Sequence, residues 1–138
     1  MLQEKSCGAV VYLKHKNQTK YLLLHYSAKH WDFVKGHVEA NETEKQTVIR
    51  ELKEETGIAD AHFKEGFRET IAYFYRKDKV NMHKKVVFYL IETHSEEVTI
   101  SSEHIGYAWL GYENATEKLS FSNGKAVLRK ACEFIEKL

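Results

Sequence analysis

The stretch from Gly36 to Ile58, GHVEANETEKQTVIRELKEETGI, places six carboxylates, Glu39, Glu42, Glu44, Glu51, Glu54 and Glu55, within twenty-three residues. Its second half carries helix punctuation. Thr43 and Gln46 have the spacing of a capping box, and Gly57 supplies the left-handed residue that ends a helix. Projected at about 100° per residue, Glu44, Glu51, Glu54 and Glu55 fall within a sector of about 100°, with Val48, Ile49, Leu52 and Thr56 in the neighbouring sector. The expected helix packs one side and carries a row of carboxylates beside it.

Such a row opposes its own helix. Glu51 and Glu55 are a like-charge pair at i,i+4 and Glu51 and Glu54 one at i,i+3, each costing about 0.2–0.5 kcal/mol. Arg50 relieves part of this through Glu54. A solvated face would interleave lysine with glutamate. The missing positive charge is therefore expected from a hard divalent cation, for which carboxylate oxygen is the preferred ligand.

From Gly36, five residues lead to Glu42 and seven more to Arg50-Glu51, followed by Leu52, Glu54-Glu55, Gly57 and Ile58. This spacing resembles the Nudix box at each of its nine defined positions. Beside it, Trp31, Phe33, Lys35, Gly36, His37 and Glu39 resemble the W-x-F-P-K-G-H-x-E signature of the Nudix branch that hydrolyses diadenosine tetraphosphate asymmetrically, with Val34 in place of the usual proline. The resemblance implies an α/β (α+β) Nudix fold, a mixed β-sheet sandwiched between helices, spanning 1–138 as a single domain.

Other segments fit that architecture. Ser6–Leu13 and Tyr21–Tyr26, rich in β-branched and aromatic residues and separated by HKNQTK, read as an antiparallel hairpin. The unbroken Leu22-Leu23-Leu24 suggests burial on both faces, hence helices on both sides of a sheet. Phe63–Arg76 and VVFYLIETH, separated by KDKVNMH, read as a second long hairpin. Tyr107–Leu110 reads as a brief strand. Ser122–Leu138 reads as a helix with Val127, Leu128, Ala131, Phe134, Ile135 and Leu138 at helical spacing. This helix is expected on one face of the sheet and the box helix on the other.

By resemblance, a Mg²⁺ or Mn²⁺ ion is held by Glu51, Glu54 and Glu55 with the Gly36 carbonyl. Such ions neutralise phosphate oxygens and lower the pKa of bound water. Arg50 is expected to orient the carboxylates, and Glu42 to support the outer metal shell. The general base is open between a box residue, Glu54 or Glu55, and Glu103, which lies in SSEHIGYAWL, a stretch resembling S-x-E-H-x-x-Y-x-W-L of the same branch. Lys35 and Lys84 resemble phosphate-chain lysines, and point charges suit a flexible polyphosphate. Tyr73 and Phe121 match positions whose rings sandwich an adenine. His37 and His104 read as hydrogen-bonding groups near the site rather than metal ligands.

The implied reaction is diadenosine tetraphosphate plus water to ATP and AMP. Alternatives within the family are hydrolysis of a 5′-triphosphorylated RNA end or of a damaged nucleoside triphosphate. A non-catalytic nucleotide sensor is the alternative outside enzymology, and retention of Glu51, Glu54 and Glu55 argues against it. The composition, 43% hydrophobic and 30% charged at a formal net charge of +1, gives no overall basic field for long nucleic acid. The partner is expected to be a small nucleotide, with no stable nucleic-acid partner and no membrane; the sequence does not fix the oligomeric state, and a monomer is favoured. The two cysteines, Cys7 and Cys132, form neither a metal spacing nor a disulfide framework and read as small buried hydrophobes in a reduced, cytoplasmic compartment. No apolar run approaches the ~20 residues that span a bilayer.

Overall fold

A computed structural model describes residues 2–138. In chain order it forms β1 (Leu2–His15), β2 (Gln18–Tyr26), β3 (Trp31–Asp32), β4 (Val34–His37), α1 (Glu44–Thr56), β5 (His62–Phe63), β6 (Glu69–Lys77), β7 (Val80–Glu92), β8 (His104–Leu110), α2 (Tyr112–Lys118) and α3 (Ser122–Glu136). The architecture is the expected mixed sheet between helices.

Strand β1 is the axis. One of its edges runs parallel to β7, from Leu2 opposite Met82 to Tyr12 opposite Glu92. Its other edge is shared in succession by β4, at Ser6–Ala9, and by β2, at Tyr12–His15, both antiparallel. That division sets Gly36 opposite Cys7, on a short strand paired with the central β1.

Alternation along the central strands sorts side chains into two cores. Val10, Tyr12, Leu23, Phe88 and Leu90 point towards α2 and α3 and meet Ala115, Leu119, Val127, Leu128 and Ala131. Cys7, Ala9, Val11, Leu22, Leu24, Val87 and Ile91 point the other way and meet Val48 and Leu52 of α1. The three leucines of β2 are thus divided between the two layers, as their unbroken apolar run implied. Val34, in the position of the usual proline, is buried in the α1 core and paired with Ala9.

Helix α1 begins and ends where its caps dictate. Thr43 Oγ1 accepts from the Gln46 N–H at 3.1 Å and Gln46 Oε1 accepts from the Thr43 N–H at 2.9 Å, while Gly57, at φ 77°, donates its N–H to the Lys53 carbonyl. The buried stripe is nevertheless turned relative to the expected one. Thr47, Val48, Leu52, Glu55 and Thr56 are buried, so Glu55 sits within the packing face, whereas Ile49 is 47% exposed. The sheet meets the helix closer to its carboxylate side than hydrophobicity alone suggested.

Several boundaries also differ from expectation. The hairpin loops are two residues each, Lys16-Asn17 and Asp78-Lys79, all at positive φ, the geometry that matches strand twist. Gln18–Lys20 and Val80–His83, read as turns, belong to strands. The segment read as one strand from Phe63 is two: β5 pairs with the end of β7 at Ile91 and Glu92, and β6 pairs with its beginning. Helix α2 was not expected; its sole buried residue is Ala115, too little apolar patterning to mark a helix. Cys7 and Cys132 are free thiols, and only Cys7 is buried; Cys132 is half-buried and donates to Glu136. Among the described residues no helix is long and apolar enough to cross a membrane.

Candidate active site

The open face of α1 and the end of β4 bound a cleft of about 380 Å³. Its lining brings together Lys35, Gly36, His37, Glu51, Glu54, Glu55, Lys84 and Glu103 from β4, α1, β7 and the loop before β8. These residues, with Glu39, were all singled out from sequence and share one site. Ser101, the serine of the S-x-E-H stretch, lines it too, as does Tyr26, which no sequence signal marked.

Gly36 is required by close approach. A β-carbon there would fall inside the Glu51 carboxylate, so only glycine lets α1 lay that side chain against β4. Arg50 organises the acids around it. Its Nε donates to Glu42 Oε2 at 2.6 Å, Nη1 donates to Glu51 Oε1 at 2.7 Å and Glu54 Oε2 at 3.3 Å, and Nη2 donates to the His37 carbonyl at 2.9 Å and Glu42 Oε1 at 3.0 Å. Glu39 Oε1 stands 3.5 Å from Nη1. Arg50 thus compensates four carboxylates, well beyond the i,i+4 contact with Glu54. Glu42 accepts from Arg50, the Glu39 N–H and Thr47 Oγ1, and the Arg50 hydrogen bond foremost holds its carboxyl down at about 2.

Glu44 leaves the carboxylate row. It pairs with Lys5 at 2.7 Å and Arg68 at 2.8 Å and accepts from Tyr89 Oη at 2.6 Å, away from the cleft. Glu54 is 60% exposed on its side chain and turned towards Arg50.

Glu55 is the opposite case, 4% exposed. Burial first, then the neighbouring Glu51, push its carboxyl up to about 8, against the pull of the Lys35 backbone N–H. Burial also raises Glu51 in spite of Arg50. Glu55 Oε1 is buried without a hydrogen-bond partner, 4.0 Å from His104 Nε2, which also lacks one. His104 is fixed by Ser101 Oγ at 3.0 Å from Nδ1 and by the edge-on ring of Tyr26 at 4.4 Å. Two raised carboxyls and an orphaned carboxylate oxygen form an all-oxygen donor set short of positive charge, which fits a hard divalent cation.

Lys35 joins this cleft to a second cavity of about 530 Å³, lined also by Asp32, Ile71, Tyr73, Phe88 and Phe121. Asp32, buried and unmarked by the sequence, holds Lys35 Nζ at 3.0 Å and accepts from the Phe33 N–H at 2.7 Å. Tyr73 and Phe121 face this cavity together, and Phe121 is 52% exposed. Lys84 is half-buried; burial first, then Lys35, lower its ammonium pKa. An anion held between Lys35 and Lys84 would relieve that repulsion. His37 stands exposed at the rim, its Nε2 3.8 Å from Glu4.

The NUDIX domain family matches residues 5–131. The bis(5′-nucleosyl)-tetraphosphatase [asymmetrical] of Mus musculus is 34% identical over 143 aligned residues, covering 95% of each chain. That of Caenorhabditis elegans is 32% identical, covering 95% of this chain and 96% of its own. A dihydroneopterin triphosphate diphosphatase of Haemophilus influenzae is 30% identical, covering 94% and 90%. The crystal structure of a C. elegans Ap4A hydrolase binary complex superposes with a TM-score of 0.83 at 30% identity, covering 98% of this chain and 99% of that one. Nudix hydrolases generally need divalent metal ions, and the donor set here fits one. The chain is a member of the NUDIX domain family and a Nudix hydrolase.

Proposed function

We propose that this chain hydrolyses diadenosine tetraphosphate asymmetrically, with water, to ATP and AMP, in the presence of Mg²⁺ or Mn²⁺. The observation that carries this reading is the shared Lys35, which connects an aromatic cavity suited to an adenine with the carboxylate cleft. Similarity to asymmetrical tetraphosphatases along nearly the whole chain supports the same substrate.

Tyr73 and Phe121 stack on the two faces of one adenine, an interaction worth about 1–3 kcal/mol per base. Lys35, held by Asp32, and Lys84 bind the phosphate chain leading from that nucleoside to the carboxylates. His37, at the rim, hydrogen-bonds the more exposed part of the chain. Glu51, Glu54, Glu55 and the Gly36 carbonyl hold the metal, with Glu54 released from Arg50. The cation supplies neutralisation of phosphate oxygens and acidification of water. Arg50, gripped by Glu42, fixes the Glu51 carboxylate and does not reach substrate. Glu103, exposed across the cleft, accepts the proton of the attacking water; Glu54 and Glu55 are the alternative acceptors.

The test is product analysis by anion-exchange chromatography on a panel of diadenosine tetraphosphate, 5′-triphosphorylated RNA, damaged nucleoside triphosphates and dihydroneopterin triphosphate. ATP and AMP in equal amounts, with the highest kcat/KM of the panel, are expected. A higher kcat/KM for another member would overturn the substrate and leave the Nudix reaction class standing.

A further inference from the structure

Asp60, His62 and His94 take no part in the carboxylate cleft. Asp60 lies in the segment leaving α1, His62 opens β5, and His94 follows β7. Antiparallel pairing sets His62 opposite Glu92, so the chain leaving β7 at Thr93 brings His94 beside it, the ring centroids 5.3 Å apart and the planes inclined at 51°. One ligand atom from each of the three residues lies within 4.8 Å of the other two. Glu92 is engaged by Lys64 at 2.9 Å and leaves the trio undisturbed.

Asp60 is held as a ligand would be. Its Oδ1 accepts from Thr93 Oγ1 at 2.7 Å and from Ser95 Oγ at 2.5 Å; its Oδ2 accepts from the His94 N–H at 2.7 Å and stands 4.0 Å from His94 Nδ1. That last separation is too long for a hydrogen bond. Two atoms bound to one tetrahedral cation at about 2.0–2.1 Å are roughly 3.3 Å apart. Rotation of the exposed imidazoles covers the difference. Although its partial burial acts the other way, hydrogen bonds from Ser95, His94 and Thr93 hold the Asp60 carboxyl down at about 2.

We propose that Asp60, His62 and His94 form a surface site for a divalent transition-metal ion of the zinc class. Two imidazoles with one carboxylate suit zinc, whereas Mg²⁺ prefers oxygen and retains its water. Three protein ligands leave a fourth position to water. The hydrogen bonds from Thr93 and Ser95 supply the outer support that fixes a ligating carboxylate. A bound ion ties the segment after α1 to the segment after β7. The end of α1 and the segment after β7 are already joined by the Thr99 N–H donating to the Thr56 carbonyl at 2.9 Å. The ion therefore reinforces the C-terminal end of the carboxylate helix and the root of the loop that carries Glu103.

The experiment is equilibrium dialysis of the tag-free full chain against Zn²⁺ in excess Mg²⁺, with metal analysis and thermal melting of the same samples. One zinc ion per chain and a raised Tm are expected for wild type and for Glu51→Gln. His62→Ala and His94→Ala, at exposed positions that leave the fold intact, should lose both the ion and the rise in Tm. Ser95→Ala should weaken zinc binding by about 10- to 100-fold. Equal zinc retention by wild type and both histidine variants would overturn the proposal, as would no retention by wild type.

Discussion

The Glu51 carboxylate occupies the space that a side chain on Gly36 would need. Because the obstructing atoms are the far end of a flexible side chain, Gly36→Ala should fold while displacing that carboxylate. A displacement of about 1 Å at a positioned group costs on the order of 10²-fold in rate. Steady-state kinetics should therefore show kcat/KM reduced by roughly that factor or more, with a melting temperature near wild type. A large drop in Tm would mean that β4 rather than Glu51 had moved.

Glu51→Gln should reduce turnover by several orders of magnitude at saturating Mg²⁺ and leave stability nearly unchanged or improved. Burial opposes the Glu51 charge, and its neighbours Glu54 and Glu103 oppose it further. The substitution removes both effects, while Arg50 retains Glu42 and the His37 carbonyl. Denaturant melts beside a turnover assay separate the two consequences. Near-normal turnover would remove the metal role assigned to this residue.

The punctuation of α1 was legible because a capping box and a left-handed glycine are local in sequence, and the strands of β1, β2 and β7 because their apolar runs are long. What escaped was set by tertiary contact. Arg50 reaches four carboxylates only because β4 presents the His37 carbonyl beside α1. Glu55 is buried because the sheet meets α1 off the centre of its apolar stripe, leaving Ile49 in solvent. No glycine marks the two-residue turns at Lys16-Asn17 and Asp78-Lys79. His94 lies far along the chain from Asp60 and His62, and β5–β7 pairing with the hydrogen bonds to Asp60 brings it beside them.

Stability in the absence of metal should depend on pH through Glu55. Its folded carboxyl is raised from 4.5 to about 8, so between those values the folded state keeps a proton that the unfolded state has lost. Stability from this group is present below about pH 4.5 and is lost as pH rises towards about 8. His104, whose pKa burial lowers, acts in the opposite direction below pH 6.5. The comparison with Glu55→Gln isolates the carboxyl. In EDTA, the Tm advantage of Glu55→Gln over wild type should grow from pH 5 to pH 8, and added Mg²⁺ should raise the wild-type Tm most at the alkaline end. A pH-independent difference would remove the buried-carboxyl account.

Ala at Tyr73 or Phe121 should mainly raise KM, by roughly 5- to 150-fold if about 1–3 kcal/mol of stacking is lost equally in ground and transition states. Both rings border the cavity that opens towards Lys35, and Phe121 is exposed enough for its loss to leave the fold intact. Unchanged KM for both variants would refute the adenine clamp and leave the carboxylate site untouched.

Glu103 faces the box carboxylates from outside their helix, on a loop pinned by its own backbone: its carbonyl accepts from the Ser27 N–H at 2.9 Å and from Ser27 Oγ at 2.8 Å. Replacing its side chain therefore leaves the loop anchored. If Glu103 takes the proton of the attacking water, Glu103→Gln should lower kcat by about 10²–10⁴ with metal affinity nearly intact. The acidic limb of the pH–rate profile should flatten, because that limb reports a carboxylate that must ionise to act. If Glu103 is instead a metal ligand, the same variant should bind metal more weakly, and added Mn²⁺ should restore part of the rate. Wild-type kcat together with wild-type metal dependence would exclude both roles and transfer the proton acceptor to Glu54 or Glu55. Glu54, already exposed and only loosely held by Arg50 at 3.3 Å, would then be the first to test.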